Sequence, residues 1–243
     1  MNYKFKFILI LMCVMLIISC GRKAPEGMIF VKGSTFQMGS NDGSSKKKPI
    51  HSATVSDFYI GKTEVTQKEW KKIMGNNPSN FKGDNLPVEK ISLYDAVEFC
   101  NKKSDKEGLT RCYSGSGKNT VCNFNANGYR LPTIDEWLYA SIGGNKSNSY
   151  TYSGSDKIDE IAWYSNNSNE ATHEVGTKRG NELGIYDMSG NVMEWLYDIS
   201  GYYLKGGSWN MGAKVCQVDF HCLAEYPEKS YDGLGFRLLR SSK

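Results

Sequence analysis

Two stretches of the 243-residue chain hold residues whose types and spacing could do chemistry. The first is Asn181 to Trp195, NELGIYDMSGNVMEW, where Asn191 and Glu194 offer side-chain oxygens beside the turn at Gly190. Hard oxygen donors, joined by turn carbonyls, suit Ca²⁺. The same groups could instead brace the turn through hydrogen bonds alone. Glu194 stands between Met193 and Trp195, where a carboxylate is costly unless it is hydrogen-bonded or holds a cation. The second stretch runs from Ser208 to Cys222. Cys216 follows the Gly206-Gly207-Ser208-Trp209 turn in a polar segment, so it reads either as a reactive thiol or as the disulfide partner of Cys222.

Other chemistries find little material. The three histidines, His51, His173 and His221, are not at metal-ligand spacing. Gly143-Gly144 and Gly206-Gly207 lack the strand, helix and lysine of a phosphate loop. Ser208 has no neighbouring base in the sequence, which leaves a hydrolase triad without support.

These stretches must be positioned by the elements around them. Ile29, Val31, Phe36 and Met38 around Gly33-Ser34 predict a hairpin, and Ala53 to Thr63 predicts a strand. Three helix starts carry Ser or Thr followed three residues later by Asp or Glu, a pairing that satisfies free amides from both directions: Thr66 with Glu69, Ser92 with Asp95, Thr133 with Glu136. Helical spacing of Leu93, Ala96, Val97 and Cys100 turns Cys100 to the core. Cys112 to Cys122 reads as a hairpin closed by its two cysteines, a bridge worth on the order of 3 kcal/mol. From Gly143 to Val175 the chain is irregular, polar and aromatic, a use of chain that fits binding loops.

At 40% hydrophobic and 23% charged, the sequence can build one sizeable core. Its first residues stand apart from it. Lys4 and Lys6 precede an apolar run from Phe7 to Ile18, and Ser19-Cys20 closes it, which reads as a signal peptide over residues 1–19; the small residue before Cys20 resembles the bacterial lipobox, which implies a lipid on Cys20 rather than an ordinary signal peptide or a membrane anchor. Residues 20–26 then form a lipidated tether and residues 27–241 the domain. Without Lys4 and Lys6, 28 basic groups face 26 acidic ones and the net charge falls from +4 to +2, so no basic field remains to attract nucleic acid. Five cysteines then remain for an exporting compartment, Cys100, Cys112, Cys122, Cys216 and Cys222, an odd number that leaves at least one thiol.

A series of ordered blocks carries a resemblance: Gly27 to Val31 with Phe36 to Gly39, Glu64-Val65-Thr66, Pro87-Val88, Tyr129 to Thr133 with Glu136-Trp137, Gly184 to Trp195, Gly206 to Trp209, and Gly235-Phe236-Arg237. Over about Gly27 to Arg240 the chain resembles the formylglycine-generating enzyme, or sulfatase-modifying factor, family. The resemblance implies a single irregular α+β domain related to C-type lectins, with little regular secondary structure. It also implies calcium around Gly190 to Glu194. Active members oxidise a substrate cysteine with Cu(I) and O₂ through two cysteines placed three and eight residues after the serine of the Gly-Gly-Ser turn. Those positions are Met211 and Cys216 here, so the copper pair has only one thiolate.

The expectation is therefore a lipid-anchored cell-envelope protein, held to the membrane through Cys20, that binds a protein or glycan ligand without the two-cysteine site. The alternative is a copper-dependent oxidoreductase that acts on a thiol through Cys216, helped by Ser208 and Met211.

Overall fold

A computed structural model of the chain describes residues 24–39 and 50–242. The expected signal peptide, the lipidated Cys20, the first tether residues and the lysine loop at 41–49 lie outside the described residues. Among the described residues no helix is long and apolar enough to cross a membrane.

The chain begins with a kinked two-stranded ribbon. Strands β1 (Met28–Val31) and β2 (Thr35–Met38) pair with β4 (Phe58–Gly61) and β3 (His51–Thr54), respectively. Val31 faces Phe58 and Thr35 faces Thr54, so one antiparallel register continues across the break. The turn expected at Gly33-Ser34 is thus a kink within one arm, and the strand expected over Ala53 to Thr63 is interrupted opposite it. Gly33 explains the position. A Cβ there would lie 2.3 Å from the Val55 carbonyl oxygen, so only a glycine lets the two arms cross so closely. Asp57 holds the kink by accepting the Gly33 N–H at 2.9 Å.

The three helices start where their capping residues stand. Helix α1 (Gln67–Met74), α2 (Leu93–Lys106) and α3 (Ile134–Ser141) each carry a complete reciprocal cap, and α1 ends on left-handed Gly75. Strands β5 (Tyr113–Ser114) and β6 (Val121–Cys122) form the expected hairpin between α2 and α3, and β7 (Tyr129–Arg130) precedes α3.

After α3 the chain is irregular until β8 (Met193–Asp198), which turns into β9 (Gly201–Lys205); β10 (Cys222–Leu223), β11 (Leu234–Gly235) and β12 (Leu239–Ser241) follow. Two four-stranded sheets result, ordered β1-β4-β12-β7 and β10-β9-β8-β11. Strand β8 separates two hydrophobic clusters, because successive side chains of a strand point to opposite faces. Met193, Trp195 and Tyr197 face a cluster with Trp70, Phe99 and Phe236, whereas Leu196 joins Trp137, Tyr139, Ile185 and Met188. The architecture is α+β with little regular secondary structure.

Candidate functional site

Glu194 is the polar member of this second face, and the fold satisfies it fully. Its carboxylate accepts Arg237 Nη2–H on Oε1 at 2.7 Å and Arg237 Nε–H on Oε2 at 2.8 Å, and the Trp137 indole N–H reaches Oε2 at 2.8 Å. Arg237 gives two further donors to the Gly61 and Tyr186 carbonyls. A second carboxylate, Glu64, lies beside this pair. It accepts the Asn191 amide at 2.8 Å and the Val192 N–H at 3.1 Å, while Asn191 Oδ1 accepts the His173 N–H at 2.9 Å. Asp187 completes the group by accepting the Gly176 N–H.

Three carboxylates thus share one guanidinium. Burial, with Asp187 and Glu194 nearby, raises Glu64 well above the ordinary carboxyl range. Burial likewise lifts Asp187 to about 6. Gly190 and Asn191 adopt positive φ, 84° and 60°, as their residue types suggest.

The residues do not fit calcium on the expected pair. Both Glu194 oxygens are filled by N–H donors, and the Asn191 side chain is committed to Glu64 and His173. Among the described residues no three His, Cys, Asp or Glu side chains are grouped so as to hold a metal ion. Sequence reasoning flagged Glu194 but gave no role to Glu64, Asp187 or Arg237. Glu64 and Arg237 carried the same signal, a charged residue set against Val65 or between Phe236 and Leu238.

Downstream, Gly206 and Gly207 turn the chain at φ 95° and 71°, and the turn is tied to the upper loop by Gly190 N–H to the Gly206 carbonyl and Trp209 N–H to the Asn191 carbonyl. Beyond it the four candidate residues separate. Ser208 is buried and its hydroxyl donates to Asn210 Oδ1 at 2.7 Å, so no base activates it. Met211 lies on the wall of a cleft. Cys216 ends a 3₁₀ turn with its sulfur packed under Gly207, where a Cβ would stand 2.6 Å from Sγ. Burial pushes its thiol up to about 12.

Met211 and Cys216 therefore do not present a soft pair to a common point in the cleft. A Cu(I) site with thiolate ligands does not fit these residues.

The expected disulfides are not formed either; Cys100, Cys112, Cys122, Cys216 and Cys222 are all thiols. The register explains the first pair. Cys122 faces Tyr113 across the β5–β6 hairpin, whereas Cys112, one residue earlier, stands opposite Asn123, whose N–H donates to its carbonyl, so the two cysteines are not directly paired although both border the cluster that holds Cys100. Cys222 lies on β10 against Leu204, whereas Cys216 is turned towards the Gly207 backbone.

The cleft itself measures about 700 Å³. Trp195, Leu204, Met211, Val215, Phe220 and Leu234 wall it, and Leu223, Tyr226 and Tyr231 stand at its rim with roughly three-fifths of their surface exposed (58%, 60% and 59%). A more polar recess of about 530 Å³ between Phe81, Trp209 and Glu170 shares Asn210 and Asp232 with it.

Known proteins are similar to this chain in sequence and fold. The model of the sulfatase-modifying factor enzyme 1-like domain matches residues 17–242. Chaperone protein LppX of Paenibacillus barcinonensis is 39% identical over 89% of this chain and 90% of its own. The structure of Treponema denticola variable protein 1 superposes with a TM-score of 0.79 at 34% identity, covering 88% of this chain and 94% of that one. The inactive C-alpha-formylglycine-generating enzyme 2 of Bos taurus is 24% identical over 89% of each. With nearly its whole described length matched and its irregular α+β architecture shared, the chain belongs to the sulfatase-modifying factor, or formylglycine-generating-enzyme-like, family, whose fold is related to C-type lectins.

Proposed function

We propose that the protein is a lipid-anchored component of the cell envelope whose domain binds an apolar segment of a partner polypeptide and does not generate formylglycine. The observation that carries this reading is the contrast at the family's reactive position. The cleft wall holds Met211 and a row of aliphatic and aromatic side chains, while the Cys216 thiol is buried behind Gly207. An apolar, water-exposed cleft of this size favours occupancy by apolar groups. The relative LppX is described as a chaperone, which supports a polypeptide as ligand. Cys20 supplies the anchor, and the export signal before it the compartment.

The test uses the mature protein with reduced, carboxymethylated α-lactalbumin as an unfolded client in a fluorescence-anisotropy titration. Replacing both Tyr226 and Tyr231 by Ser, at the exposed rim, is expected to weaken binding at least tenfold with unchanged circular dichroism. Equal affinity of the variant and the native protein would discard the cleft as the site. Labelling with an alkyne-bearing fatty acid is expected to mark the native protein and not Cys20→Ala.

A further inference from the structure

Strand β10 is an edge strand, and its hydrogen-bonding geometry shows which groups it offers. Among the described residues its one partner strand is β9. Leu223 faces Tyr203 and Cys222 faces Leu204. The Ala224 N–H donates to the Tyr202 carbonyl at 2.8 Å, across the Leu223–Tyr203 position. In an antiparallel ladder this places Leu223 and Tyr203 in a pair that exchanges no hydrogen bonds, so the Leu223 N–H and C=O point away from β9. Among the described residues no backbone hydrogen bond reaches either group, and such an open donor and acceptor on an exposed edge form a template for another backbone.

Three further observations define what could fill that edge. Cys222 and Ala224 belong to the cleft face of the sheet, with Leu204 and Tyr202 packed beside them, so a strand added outside β10 would send alternate side chains over the cleft. The apolar surface also continues past the cleft. A Cβ at Gly201 would touch the Leu223 side chain at 3.3 Å, and Gly201 lines a neighbouring recess with Val121 and Ile199, which are 61% and 90% exposed. Finally, residues 224–232 carry Glu225, Glu228 and Asp232 against Lys229 alone. A net negative rim complements a ligand with positive charge and repels an anionic membrane surface.

We infer that a partner polypeptide binds by strand addition to β10: an extended segment pairs with the Leu223 N–H and C=O, places every second, apolar side chain over the cleft, and carries basic residues at its flank. This rests on the cleft-binding reading and specifies how the ligand is held. Main-chain pairing supplies affinity in such complexes and the pockets for alternate side chains supply selectivity. A lipid chain has no amide to pair with the edge, and an anionic bilayer would meet a like-charged rim.

The experiment titrates the full mature protein with a synthetic decapeptide of alternating valine and threonine carrying two lysines at its C-terminus. Leu223→Pro deletes the outward N–H without removing any bond to β9, since proline is tolerated where an edge N–H faces solvent. Leu223→Ala keeps the N–H and trims the side chain. The expected result is binding that Leu223→Pro weakens at least tenfold, that Leu223→Ala weakens no more than threefold, and that falls when salt rises from 50 to 500 mM. Equal affinity of Leu223→Pro and the native protein, or no binding at 1 mM peptide, overturns strand addition. The Tyr226/Tyr231 double Ser variant separates the two readings: binding lost there but intact in Leu223→Pro keeps the cleft and removes the edge, whereas binding intact in both removes both.

Discussion

Arg237 meets Glu194 in a two-pronged ion pair at 2.7 and 2.8 Å, with neither side chain exposed at all. It joins the C-terminal strand region to β8 at the centre of the fold, and the Trp137 indole attaches α3 to the same carboxylate. The pair therefore acts as a junction among three elements distant in sequence. Breaking a buried pair leaves an uncompensated charge, which costs far more than the pair gains over an apolar substitute.

Glu194→Ala is accordingly expected to lower the unfolding free energy by about 3–5 kcal/mol, measured by urea denaturation. Adding Ala at Arg237 should cost less than the sum of the two single changes, because the stranded guanidinium is then gone. Thermal melts of the native protein and of Glu194→Ala examine calcium. With both Glu194 oxygens filled by nitrogen donors, EDTA is expected to leave the melting temperature unchanged. A fall with EDTA that matches the fall in Glu194→Ala would place a cation on Glu194 after all.

Stability is expected to fall as pH rises towards neutrality. Burial raises Glu64 well above its ordinary value, Asp187 to about 6 and Glu89 to about 7, so the folded chain holds more protons than the unfolded chain between roughly pH 4 and 7. Stability therefore falls as pH rises through that window. Above neutrality two effects oppose: Lys205, lowered by burial from 10.5 to about 7, makes the folded chain hold fewer protons, while the buried thiols, with Cys122 and Cys216 pushed up to about 12, make it hold more from about pH 8.5, so the carboxyl window is the one with a single sign. Urea midpoints at half-unit intervals from pH 4.5 to 7.5 check the fall. A monotonic rise across pH 4.5 to 7 would show that the buried carboxyls are ionised with compensation the structure does not display.

Thiol mapping is expected to find five free cysteines in the unreduced, mature protein apart from the lipidated one. Under native conditions iodoacetamide should reach Cys222 and Cys122, which are partly exposed, before Cys100 and Cys216, which are fully buried. A Cys216–Cys222 or Cys112–Cys122 disulfide in the peptide map would contradict the geometry. Rapid alkylation of Cys216 in the folded protein, together with tight Cu(I) uptake, would revive the oxidoreductase reading.

Gly190→Ala is expected to destabilise by about 1–3 kcal/mol, since its φ of 84° disfavours an L side chain and the new Cβ would lie 2.3 Å from the Trp163 carbonyl oxygen. Gly212→Ala, whose Cβ meets nothing within 4 Å, should stay within about 0.5 kcal/mol of the native protein. Paired urea curves make the comparison.

What the sequence by itself determined were the features that depend on neighbours along the chain. The three reciprocal caps specify helix starts because their partners are three residues apart, and Gly190-Asn191 announces a positive-φ turn by residue type. The ordered blocks determined the family for the same reason. Only the tertiary structure decided which distant residues meet. Glu194 was legible as a carboxylate that needs a partner, yet whether a cation or Arg237, 43 residues later, meets that need depends on the packing of β8 against the C-terminal segment. The kink at Gly33 looks like a turn in the sequence, because the Val55 carbonyl that crosses it comes from the other arm of the ribbon. The fate of Cys216 was likewise set by Gly207 folding back over its sulfur, a contact that polar neighbours in the sequence cannot reveal.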